Sequence, residues 1–158
     1  MSIVIRRAGE GDEAAIHGLL RGLAEFENLT DRFLLTPEIV RRDMLGPHPV
    51  LTAALAFDGA EPVGVATWYW TYSSFRAVRG LFIEDIYVQP ARRGSGLGKA
   101  FFAFLAAEAK REGAMRLDWV VLDWNEKAQN FYRSLGGKPV AEWLTYRLEG
   151  EAMDKLAQ

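Results

Sequence analysis

The stretch Ala91–Ala100, ARRGSGLGKA, sets three glycines on alternate positions behind two arginines and ahead of an apolar run. Leu81–Val88 before it reads as a strand closed by Gln89-Pro90, and Gly96–Glu112 after it reads as a helix ending at Gly113. A strand, a glycine turn and a helix start aim several backbone N–H groups at one point, where the helix dipole favours negative charge. Arg93 adds a forked donor of the kind that holds phosphate. A glycine-rich helix start with no ligand is the plainer alternative. The P-loop pattern G-x-x-x-x-G-K-[ST] fails, because Arg93 stands at its first glycine and Ala100 at its hydroxyl position. The dinucleotide pattern G-x-G-x-x-G fails as well, at Lys99 in one register and Phe101 in the other.

Reading outward, Ile3–Arg7 is a short strand, and Gly11-Asp12 opens a helix whose Ile16, Leu19, Leu20, Leu23 and Phe26 share one face. Thr36-Pro37-Glu38 starts a second helix, with Thr36 as cap, that stops by Gly46-Pro47. Strands follow over Leu51–Phe57 and Glu61–Tyr72, split by Asp58-Gly59. Beyond the glycine turn come a strand at Arg116–Leu122, a helix at Asn125–Leu135, strand-like sequence from Lys138 to Leu148 and a short helix after Gly150. This order predicts one mixed α/β domain over residues 1–158, with a mostly antiparallel sheet of six to seven strands flanked by helices.

The 158 residues suit one core. Nineteen basic and 21 acidic side chains leave a net charge of -2, which gives no general pull toward nucleic acid or an anionic membrane. With no cysteine, thiol nucleophiles, disulfides and cysteine metal sites are excluded. His17 and His48 lie far apart in sequence and have no metal-ligand partners near them, so no metal is expected. No signal peptide or membrane-spanning run is read, and the expected location is cytoplasmic.

Arg93-x-x-Gly96-x-Gly98 resembles the acetyl-CoA motif R/Q-x-x-G-x-G/A of the GNAT superfamily of N-acetyltransferases, and the element order is similar over nearly the whole chain. The glycine turn then reads as a cradle for the pyrophosphate of coenzyme A. Four stretches, LAEFENLTDRFLLTPE, IEDIYVQPARRGSGLGK, VLDWNEKAQNFYRSLG and EGEAMDKLA, resemble the diamine and thialysine N-acetyltransferases, with the thialysine branch favoured. The charge balance leads to the expectation of no nucleic-acid or membrane partner, while the resemblance implies acetyl-CoA as cosubstrate, a small amine acceptor and a homodimer. It also implies coenzyme contacts from the backbone of Ile86, Tyr87 and Val88. Others come from Arg93, Gly94, Ser95, Gly96, Leu97, Gly98 and Lys99, and from Asn125, Glu126, Lys127 and Ala128. Asn125 serves equally as a helix cap, and Arg92 and Lys127 either meet the 3′-phosphate or are simply solvated.

Acetyl transfer to an amine needs a neutral nucleophile, although a lysine-like ammonium has a pKa of about 10.4. It also gains from a proton donor for the leaving thiolate. Glu84 is the candidate base. By strand alternation it shares a face with Ile86 and Val88, opposite Ile83, Asp85 and Tyr87, so Glu84 and Asp85 are not expected to form a carboxylate pair. Read alone, Glu84 is equally a surface charge; the resemblance implies a role in catalysis and in acceptor binding. Tyr132 is a core aromatic by its own residues and the catalytic acid by resemblance. Phe26 and Glu27 match an aromatic–acid pair that lines the acceptor site of the diamine-type enzymes. Trp68, Trp70 and Tyr72 alternate on one strand face and read as core. Ser73-Ser74-Phe75 stands where the polyamine branch has Asp-Pro-Trp, which counts against long polycations. Two other functions share this fold: acetylation of proteins or peptides, and non-catalytic sensing of acyl-CoA.

Overall fold

The structure is a computed structural model that describes residues 3–158. The chain divides into two compact units, one ending at Val120 and one covering Val121–Gln158.

The first unit runs β1 (Ile3–Arg7), α1 (Glu13–Phe26), a 3-10 turn (Thr30–Arg32), α2 (Pro37–Met44), β2 (Thr52–Asp58), β3 (Glu61–Ser73), β4 (Val78–Val88), a second 3-10 turn (Pro90–Arg92), α3 (Leu97–Arg111) and β5 (Leu117–Asp118). The sheet order follows the sequence, β1-β2-β3-β4-β5. Every neighbour is antiparallel except β4–β5, which is parallel. Local chemistry explains the starts. At α2 the Thr36 hydroxyl accepts from the Ile39 N–H at 3.2 Å, and Pro37 fills the first helical position. Before α1, Asp12 accepts from the Gly9 N–H at 2.8 Å and from the Arg6 guanidinium.

Alternation along the central strands supplies both faces of the sheet. Ala53, Leu55, Val65 and Tyr87 pack with Ile16, Leu19 and Leu20 of α1 and Val40 of α2. On the opposite face Trp68 is fully buried and meets Phe104 of α3 edge-on, with ring centres 6.2 Å apart. Glu108 of α3 is buried too, held by Arg7 and Arg111. Trp70 lies under the Arg79 guanidinium, and Tyr72 is exposed on the stretch of β3 that runs past the end of β2. The core reading of this aromatic row therefore holds for Trp68 alone.

The sheet has five strands, not six to seven. The strand expected over Arg116–Leu122 narrows to Leu117–Asp118. Residues 138–148, in the second unit, form no strand and are exposed throughout. Leu144, Tyr146 and Leu148 have the right alternation, but a strand is a backbone pairing. Among the described residues no neighbour supplies that ladder. The second unit holds α4 (Glu126–Ser134) and α5 (Glu151–Leu156), the helices expected there.

Gly64 of β3 lets α3 approach the sheet. A Cβ there would stand 2.8 Å from the Phe101 ring and 3.1 Å from the Tyr87 carbonyl oxygen. Gly64→Ala is expected to destabilise the protein by about 1–3 kcal/mol through overpacking. Thermal unfolding reads this as a fall of about 2–4 °C in Tm per kcal/mol.

Candidate active site

Opposite Thr67, β4 holds one residue more than β3. Thr67 pairs with Asp85 and Trp68 with Ile83, which leaves Glu84 as a bulge between them. The bulge moves the odd positions of β4 across the sheet. Leu81 and Ile83 pair with Trp70 and Trp68 on the α3 side, whereas Asp85 and Tyr87 pair with Thr67 and Val65 on the α1 side. Strict alternation, which separates Glu84 from Asp85, is thereby broken, and both carboxylates line one cavity of about 480 Å³. Glu27 and Arg32 line it as well, and Leu20, Leu23, Phe33 and Leu35 supply apolar wall.

Helix-end geometry sets the far side of this cavity. The Glu27 N–H closes α1 on the Leu23 carbonyl at 2.9 Å, and Asn28 turns the chain with φ 57°. The 3-10 turn then brings the Arg32 N–H to the Leu29 carbonyl at 3.0 Å. The acidic side is partly desolvated. Burial pushes the Asp85 carboxyl above its ordinary range, while the Thr67 hydroxyl, donating at 2.6 Å, pulls it back down. Glu84 and Glu27 are raised by burial first and by the Asp85 charge second. The Tyr69 phenol is raised by burial and by Glu84.

The glycine turn has the form of an anion cradle. Gly94 and Gly96 sit in the left-handed region at φ 78° and 86°, and a Cβ on either would meet no protein atom within 4 Å. Gly96 caps α3 without a side chain, and the first helical bond is made only by the Ala100 N–H, at 3.0 Å. The N–H groups of Leu97, Gly98 and Lys99 thus have no acceptor within the helix. The Ser95 hydroxyl donates to the Arg92 carbonyl at 2.6 Å. Arg92 pairs with Asp58 at 2.5 Å. Arg93 donates Nε–H to the Val88 carbonyl at 3.1 Å, and its guanidinium lies over the rings of Phe26, at 4.7 Å, and Tyr87, at 5.7 Å. β5 pairs with Leu81 and Phe82, and among the described residues the stretch of β4 containing Ile86, Tyr87 and Val88 has no strand partner on that side.

The acetyltransferase (GNAT) family matches residues 15–136 of this chain. The chain belongs to the GNAT family. This acetyltransferase is 38% identical to a thialysine N-epsilon-acetyltransferase of Bos taurus, over 98% of its own chain and 97% of the relative. It is 37% identical to an L-ornithine N5-acetyltransferase of Arabidopsis thaliana, over 59% of this chain and 41% of that one. An integron cassette protein from V. cholerae shares the fold with a TM-score of 0.85 at 24% identity, covering 100% of this chain and 99% of that one. No helix among the described residues is long and apolar enough to cross a membrane.

The residues singled out in the acetyltransferase's sequence fall into separate groups. Glu27 and Glu84 meet in one cavity, whereas Phe26 lies beneath Arg93. Arg93 to Lys99 form the turn. In the second unit, the Asn125 side chain caps α4 by accepting from the Ala128 N–H at 3.2 Å, and Glu126, Lys127 and Ala128 form its first turn. Tyr132 lies on α4 with its ring 5.8 Å from that of Phe131. His17 contacts the Leu35 carbonyl and the Phe33 ring, in keeping with a structural role. Two charged residues of the cavity carry no assignment from sequence, Asp85 and Arg32. Adjacent acids inside an apolar strand were the available signal for Asp85, since unbroken alternation would bury one of them. Nothing in the sequence around Arg32 marks it.

Because burial raises Asp85, folding favours its protonated form. That contribution is present below the ordinary carboxylate range and is lost as pH rises through the raised value. Asp85→Asn keeps an acceptor for Thr67 and removes the charge. At neutral pH it is expected to melt higher than wild type, by about 2–4 °C per kcal/mol of relieved burial. The gap should close as pH falls below the ordinary carboxylate range, as followed by melting curves across pH.

Proposed function

We propose that this acetyltransferase transfers acetyl from acetyl-CoA directly to the primary amine of a small diamine or lysine-like amino acid. The observation that carries the reading is the bulge in β4, which turns Glu84 and Asp85 into one cavity with Glu27. An ammonium-bearing chain fits acidic groups set among apolar walls. The bovine relative named for thialysine and the plant relative named for ornithine support an acceptor of this kind.

The coenzyme fits the residues present. The left-handed glycines, the unbonded N–H groups at the start of α3 and the open side of β4 suit a pyrophosphate and an amide-bearing arm. Ile86, Tyr87, Val88 and Arg93 to Lys99 would hold it, with Asn125, Glu126, Lys127 and Ala128 assigned by motif. Acetyl-CoA would supply the acetyl group as a thioester. With its carboxyl raised by burial and by Asp85, Glu84 is suited to take a proton from the attacking ammonium, directly or through water. Tyr132 would return a proton to the departing sulfur; that role rests on its place in the NFYRSLG stretch. With no cysteine to carry an acyl group, transfer is direct. The reading also takes the enzyme as a cytoplasmic homodimer. The exposed Trp143, Leu144 and Tyr146 support assembly between copies.

An acetyl-CoA assay across free amines and peptides tests the reading. Turnover of small amines is expected, whereas peptide turnover or coenzyme binding without turnover would replace it. Glu84→Gln should slow turnover about 10²–10⁴-fold at neutral pH and recover as rising pH supplies neutral amine. Loss confined to the acceptor KM would make Glu84 a binding group only. Tyr132→Phe should lower kcat over a similar range, about 10²–10⁴-fold, with coenzyme affinity kept. By calorimetry Gly96→Val should abolish coenzyme binding, and unchanged affinity would remove the cradle.

A further inference from the structure

Most arginines of the first unit are committed. Arg6, Arg7, Arg41, Arg42, Arg79, Arg92, Arg111 and Arg116 each pair with a carboxylate. Arg32 differs. It lines the acidic cavity, yet among the described residues its guanidinium makes no ion pair or hydrogen bond. Among the described residues Glu27 and Glu84, in the same cavity, have no ion pair either. The Arg32 guanidinium thus stands more than 4.0 Å from the carboxylate oxygens of Glu27, Glu84 and Asp85. The cavity is therefore polarised, with carboxylates on its β4 and α1 side and a lone guanidinium on the 3-10 turn.

A plain diamine would satisfy the carboxylates and leave Arg32 facing a cation. A lysine-like amino acid carries two ammonium groups and one carboxylate, the inverse of this arrangement. We propose that Arg32 is a specificity-determining residue that binds the α-carboxylate of an amino-acid acceptor while the acceptor's terminal amine lies at Glu84 and Asp85. This rests on the reading of the cavity as the acceptor site and narrows it to zwitterions. The guanidinium fork suits a carboxylate, and an ammonium at the same place lacks its planar geometry.

The test compares two acceptors that differ by one group: thialysine and the diamine it becomes on losing its carboxylate. Wild type should favour thialysine in kcat/KM by about 10- to 100-fold, the range of one charged hydrogen bond. Arg32→Gln should erase that preference by weakening thialysine alone, and Arg32→Lys should restore part of it. Calorimetric titration of thialysine should show the same ranking without turnover. Wild type favouring the diamine, or an equal loss for both acceptors in Arg32→Gln, would overturn the assignment. Arg32-dependent thialysine binding without any turnover would uphold it and sink the proposed activity instead. Absence of binding by either acceptor would sink both. Because Arg32 is exposed, its variants are expected to fold, and their melting curves check this.

Discussion

One extra residue in one strand governs which side chains of β4 meet in the acidic cavity. Thr67 takes Asp85 as its partner, Trp68 takes Ile83, and Glu84 is left over. Without the bulge, β4 would carry one parity of side chains to each face along its whole length. With it, Leu81 and Ile83 serve the α3 core while Asp85 and Tyr87 serve the α1 side. The same strand thus completes a packed core at one end and lines a polar cavity at the other. The bond from Thr67 to Asp85 anchors the changeover, because a hydroxyl at that point satisfies a carboxylate that burial disfavours.

Much of this architecture is written in local patterns. The helix starts at Thr36 and Asn125 rest on caps readable from residue type, and both caps form. The glycine turn was legible for a similar reason, since its backbone angles are ones that glycine adopts readily. What failed to show was pairing. Alternation around Leu144 resembles a strand, yet a ladder depends on a neighbour that local sequence does not name. The bulge failed for the same cause, as register belongs to two strands together. Asp85 and Arg32 were therefore missed, one misplaced by an assumed alternation and the other carried on a short turn without a motif of its own.

The cavity also divides its work by mechanical setting. Its acids lie on β4 and at the close of α1, where the sheet and helix hold them and burial opposes their charge. Its guanidinium sits on three residues of 3-10 turn joining two helices, with solvent around it. Alterations at the first place act on the sheet and on the close of α1. Alterations at Arg32 touch neither the core nor the sheet.

That difference sets how such a protein can change over generations. If the turn meets the acceptor as proposed, selection for a new one can act there one substitution at a time, with little loss of folded protein on the way. Change on β4 is more constrained, because losing the bulge would carry every later side chain of that strand to the other face.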